Sequence, residues 1–182
     1  VRSRGLGDVY KRQILIEYSN RAPVEAVSGQ GLVPVIEDAG EVITDSVAIM
    51  RPLERRQPEP PLFPSEPARR AELDVFIEWF ERVYKAPPNA IEQELELPEP
   101  DREQIDRHSV EMRARLDMFE RLLQGRGYLF GDFSAADCLA YPFLKYAAGR
   151  DPDDDERFDV VLEEHQPLGD DHPNLTAWIK RV

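Results

Sequence analysis

Cysteine is nearly missing from this chain: Cys138 stands alone among 182 residues, so no internal disulfide can form. Positive charge is also scarce. Lys and Arg number 23 against 36 Asp and Glu, a formal net charge of −13. A phosphate-binding surface needs the opposite balance, so nucleic acid is excluded as the expected partner. No apolar run approaches the length of a membrane span, and the N-terminus has no apolar signal-peptide core, so no membrane partner is expected. With one thiol and no such segment, a cytoplasmic protein is the expectation. The histidines His108, His165 and His172 are scattered, without helical or finger spacing for zinc. The acidic run Asp151, Asp153, Asp154, Asp155, Glu156 lacks the glycine and closing glutamate of a calcium loop and reads as a solvated surface. No metal is expected. Cys138 itself reads as a small buried hydrophobe.

What is present is a globular composition, 41% hydrophobic, enough to bury a core. Residues 1–13 stand apart: they are basic, carry two glycines, have no apolar period, and resemble a translated sequencing-adapter sequence. They are set aside as a non-native tail. Ile14-Leu15-Ile16-Glu17-Tyr18 reads as a short strand. Residues 19–31 read mostly as loop, with one helical turn near Val24–Val27. Val33–Glu37 and Val42–Thr44 read as a hairpin around Ala39-Gly40. A helix pattern starts at Ser46 with Val47, Ile49, Met50 and Leu53 near one face, and Pro52 inside it predicts a kink.

Prolines 58, 60, 61, 64 and 67 mark residues 58–66 as an extended linker. Everything from 67 to 182 reads as helical. Leu73, Phe76, Ile77, Phe80 and Val83 form a stripe, with Trp79 and Tyr84 beside it. Residues 86–100 read as a second proline-bearing loop. A long helix then carries Ile105, Met112, Leu116, Phe119 and Leu122-Leu123, and further helices are expected at about 135–148, 156–164 and after Pro173. Ser134 fits an N-cap with Asp137 three positions on, a structural capping box.

The order of strand, hairpin, helix, proline linker and helical domain resembles the glutathione transferase superfamily over residues 14–182. Val33-Pro34 looks like the cis-proline whose exposed backbone pairs with the cysteinyl part of glutathione. Asp45-Ser46 looks like the acidic-serine pair that holds the γ-glutamyl end. The chemistry is sensible, because that end is a zwitterion and needs an anion-binding helix terminus beside a carboxylate. Phe133 to Asp137 looks like the family's capping box. Leu32 departs from the pattern, standing where many relatives put a lysine or glutamine.

The resemblance implies α/β plus all-α architecture: a partial, incomplete thioredoxin-like glutathione-binding domain (14–57), the linker (58–66), and an all-helical C-terminal domain (67–182). It implies glutathione as co-substrate, a small hydrophobic electrophile as second substrate, and a homodimer. Trp79 and Tyr84 are the candidates for lining the second-substrate pocket. The family's first strand and helix need about 30 residues, and only thirteen precede Ile14, so the chain is expected to be a fragment. Ser3 and Tyr10 are the hydroxyls in those thirteen, neither follows a strand, and no catalytic residue is assigned. The fragment is expected to be inactive. Two alternatives stay open: a non-enzymatic protein-interaction module on this fold, and a glutathione-dependent isomerase or dehalogenase.

Overall fold

The computed structural model describes residues 12–16 and 20–182. The expectations for Ser3, Tyr10 and most of the basic tail, and for Glu17 and Tyr18, lie outside the described residues. Two compact units divide between Asp45 and Ser46.

In the first unit, Ile14, Leu15 and Ile16 are not a strand. They carry β-forming side chains, but a strand exists through its ladder, and among the described residues none pairs with them. Ile14 and Leu15 are accordingly 67% and 80% exposed. The helical turn expected near Val24–Val27 is a full helix, α1 (Ala22–Ser28), with Pro23 in its first turn and Gly29 ending it at φ 75°. Proline in a first turn removes an N–H that has no intrahelical partner anyway, so it starts a helix where it would break an interior. The hairpin is present as β1 (Val35–Asp38) and β2 (Glu41–Thr44), antiparallel, with Val35 opposite Thr44 and Asp38 opposite Glu41. Ala39 and Gly40 both have positive φ, 52° and 87°, the two-residue turn whose twist matches the strands. The strand starts at Val35, two residues later than its apolar pattern, because Pro34 has no N–H to give a ladder.

The second unit begins with α2 (Ser46–Arg56), which keeps Pro52 inside it. Ile49 is buried, whereas Leu53 faces solvent, against the expected stripe. Helix α2 packs on α6 (Ala135–Leu144). Then come α3 (Pro67–Trp79), one turn of π-helix (Phe80–Tyr84), α4 (Ala86–Leu95) and α5 (Arg102–Leu122). After α6 a 3₁₀ turn (Lys145–Ala148) leads to α7 (Arg157–His165) and α8 (Pro173–Arg181). The segment expected as a loop from 86 is helix α4. Its Pro87 and Pro88 fall in the first turn, where they favour the helix.

The π-turn explains a second departure. Lys85 N–H donates to Phe80 O at 3.1 Å, a five-residue step that inserts one residue into the helical register. Val83, expected on the buried stripe, turns outward, and Tyr84 turns into the core. There Tyr84 stacks on Phe80 at 4.4 Å, and its hydroxyl donates to Gln166 Oε1 at 2.7 Å. Arg115 supports the turn by donating to the Val83 and Tyr84 carbonyls at 2.9 and 3.2 Å. The main core joins Leu73, Phe76, Phe80, Leu116, Phe119, Leu139 and Trp178; a second cluster of Ile91, Ile105, Met112, Val161 and Leu162 lies among α4, α5 and α7.

Asp137 ties the unit together. Ser134 and Asp137 form the capping box of α6: Ser134 Oγ accepts from Ala136 N–H at 3.3 Å, and Asp137 Oδ2 accepts from Ser134 N–H at 2.9 Å. The same carboxylate reaches further. Its Oδ1 accepts from Leu129 N–H at 3.1 Å and from Trp178 Nε1–H at 2.8 Å. Asp137 has no exposed surface, so removing it strands buried donors, each worth about 1–3 kcal/mol. Asp137→Ala is expected to cost about 3 kcal/mol or more in urea unfolding, against about 0.5–2 kcal/mol for Ser134→Ala. Cys138 follows Asp137, half-buried, and burial with the neighbouring Asp137 charge pushes its thiol above the ordinary range. Its alkylation by iodoacetamide is expected to be much slower in the folded chain than in the unfolded one at pH 8, and to rise on going to more alkaline pH.

Candidate functional site

Gln30 shapes the loop that enters β1. Its side-chain amide brackets Leu32: Nε2–H donates to Leu32 O at 2.8 Å, and Oε1 accepts from Leu32 N–H in a short bond. Both backbone groups of Leu32 are thereby occupied. The Val33–Pro34 peptide that follows is cis. Val33 is 53% exposed, and its backbone N–H and C=O carry no hydrogen bond among the described residues. An exposed, unsatisfied peptide group next to a strand start can pair with an extended, peptide-like chain.

Asp45 ends the first unit, exposed and at φ 77°, a left-handed conformation that aspartate adopts more readily than most residues. Such positions cluster at binding sites, where the surroundings hold them in place. Ser46 is the first residue of α2 and is half-buried. Its hydroxyl and the N–H groups of Ser46 and Val47 lie at the start of α2, where no preceding helical turn offers them a carbonyl. A carboxylate is the natural acceptor for that set.

Of the two aromatic candidates for a second-substrate pocket, Tyr84 lies in the core. It is buried, its hydroxyl is spent on Gln166, and burial pushes its phenol far above the ordinary range. Trp79 remains half-exposed, its ring 5.9 Å from Phe76 and 6.1 Å from Phe119. No group of three or more metal-binding side chains converges among the described residues.

Sequence reasoning missed Gln30 and Glu54. Gln30 acts on a residue two positions on, through a loop with no period. Glu54 reaches nine residues ahead to accept from Phe63 N–H at 3.0 Å. Neither leaves a mark in spacing or composition.

The chain matches the family described as "Glutathione S-transferase, N-terminal domain" over residues 4–61 and "Glutathione S-transferase, C-terminal domain" over residues 102–181. It is 29% identical over 132 residues to FtsZ-localized protein A of Caulobacter vibrioides, a match covering 63% of this chain and 58% of that protein. The chain spans about half the length of the curated relatives it matches, 58% and 47%. Its structure is similar to that of a glutathione S-transferase from Rhodospirillum rubrum F11, with a TM-score of 0.65 and 26% identity, covering 91% of this chain and 73% of that one. It is also similar to a theta class glutathione S-transferase from Xanthomonas axonopodis pv. citri with glutathione bound, with a TM-score of 0.64 and 24% identity, covering 90% and 73%. With an N-terminal and a C-terminal match in that order on the corresponding architecture, the chain belongs to the glutathione S-transferase superfamily.

Proposed function

We propose that the chain binds glutathione through Val33, Pro34, Asp45 and Ser46, and that the protein conjugates glutathione thiolate to small hydrophobic electrophiles. The observation that carries this reading is the exposed Val33 peptide, unbonded among the described residues, beside the cis Val33–Pro34 bond. Its N–H and C=O suit the cysteinyl backbone of a tripeptide, as one more strand suits a ladder. Ser46, with the N–H groups of Ser46 and Val47 at the start of α2, suits the γ-glutamyl carboxylate, and Asp45 suits the ammonium of the same end. Trp79 offers an apolar face for the electrophile. A cytoplasmic homodimer that uses no metal completes the reading.

None of these four residues activates a thiol. Conjugation needs a hydroxyl or thiol donor that lowers the thiol pKa, and no described residue is assigned that part. A second reading, a protein-association module built on the same fold, draws support from the likeness to FtsZ-localized protein A.

Calorimetric titration of glutathione into the chain and into Ser46→Ala separates the readings. A hydrogen bond to a carboxylate is worth about 1.5–3 kcal/mol, so the variant is expected to bind about tenfold to a hundredfold more weakly with an unchanged melting curve. Equal affinity in the two would reduce Ser46 to a helix terminus. No binding by the parent chain would favour the association module.

A further inference from the structure

Helix α2 is a short helix that depends on its tertiary contacts. It has eleven residues, close to the length at which isolated helices are marginal, and it carries an interior proline. Ile49 is buried, and Val47 and Met50 pack against the main core where α2 rests on α6. Polar ties from α2 to the linker and to α3 add to that packing.

Two side chains, Arg51 at its middle and Glu54 near its C-terminal end, supply these ties. Glu54 accepts from Phe63 N–H with both oxygens, at 3.0 and 3.3 Å. Arg51 donates to Asp74 on α3 at 3.0 Å and lies 4.9 Å over the Phe63 ring. Arg70 of α3 covers the same ring at 5.2 Å, so Phe63, 2% exposed, sits against two guanidinium groups. The linker continues the connection inward. Leu62 O accepts from Ala135 N–H at 2.8 Å, the first residue of the helix that Asp137 caps.

We propose that Glu54, with Phe63 as its backbone partner and Arg51 as support, is a positioning residue for the glutathione site: it fixes α2 to the helical unit and so fixes the Ser46 terminus. This rests on Ser46 receiving the γ-glutamyl carboxylate. Glu54 touches no ligand and acts through the helix. A terminus that is already ordered binds without the entropic loss of ordering it first.

The test compares the intact chain with Ser46→Ala, Glu54→Ala and Glu54→Gln, by calorimetry with glutathione and by amide hydrogen exchange. Glutamine keeps an acceptor for Phe63 N–H, and alanine does not. Glu54→Ala is expected to speed exchange in α2 by about tenfold, leave α5 unchanged, and weaken glutathione binding about threefold or more. Glu54→Gln should restore both. Ser46→Ala should weaken binding without speeding exchange in α2. If Ser46→Ala weakens binding and Glu54→Ala does not, the positioning role is overturned while the glutathione reading stands. If Ser46→Ala binds as the parent does, the reading fails and the proposal fails with it. Should Glu54→Ala unfold the chain, Glu54→Gln decides: parent-like affinity and exchange support the acceptor role, and loss of either overturns it.

Discussion

Asp137 is a buried carboxylate on which the backbone of Leu129 and Ser134, the Ser134 hydroxyl and the indole N–H of Trp178 all converge. A charge taken out of water survives only when its lone pairs are filled, and here they are. The donors come from three pieces of the unit: the loop after α5, the start of α6, and the body of α8. Other contacts hold those pieces as well: Glu120 of α5 accepts from the Asn174 and Leu175 N–H groups at 3.1 and 2.8 Å, and Leu129, Leu175 and Trp178 are buried in the main core. The start of α6 also receives the linker, since Ala135 N–H donates to Leu62 O. Asp137 therefore sets where the linker docks, and through Phe63 and Glu54 it sets where α2 lies.

This explains which parts of the fold were legible in the sequence. The capping box was legible because Ser134 and Asp137 are three residues apart, and a helix start has a fixed local spacing. The other donors to Asp137 were not, because Trp178 lies 41 residues on and nothing in either residue's neighbourhood names the other. The hairpin was legible from Ala39-Gly40, and α5 from its period. Helix α4 departs from the expected loop because Pro87 and Pro88 fall in its first turn, where proline favours a helix instead of breaking it. Ile14 to Ile16 departs for a different reason: composition says strand, but only a partner makes one.

The candidate glutathione contacts divide in the same way. Val33-Pro34 and Asp45-Ser46 stand out as candidates by residue type and position, since a proline loop and a helix start are local events. The groups that prepare them were invisible. Gln30 occupies Leu32 and leaves Val33 as the next peptide without a hydrogen bond among the described residues. Glu54 and Arg51 hold the helix that Ser46 begins. These are non-periodic contacts made by polar side chains, and such side chains are common enough on any surface to carry no signal of their own.

Trp79 and Tyr84 show how small a change in register decides a role. Five residues apart, they straddle one turn in which the hydrogen-bond step lengthens to five residues. On a regular helix Val83 would continue the stripe of Phe76 and Phe80, and Tyr84 would flank it. One inserted residue turns Val83 to solvent and Tyr84 inward, where its hydroxyl needs a buried acceptor and finds Gln166. Gln166 is itself held, its Nε2–H donating to Phe143 O at 2.8 Å, so the Tyr84 O–H is committed within the core and the side chain is buried. Trp79 lies just before the longer step and keeps part of its ring at the surface. Any aromatic recognition by this stretch of chain therefore falls to Trp79, because the π-turn assigns its neighbour to the core.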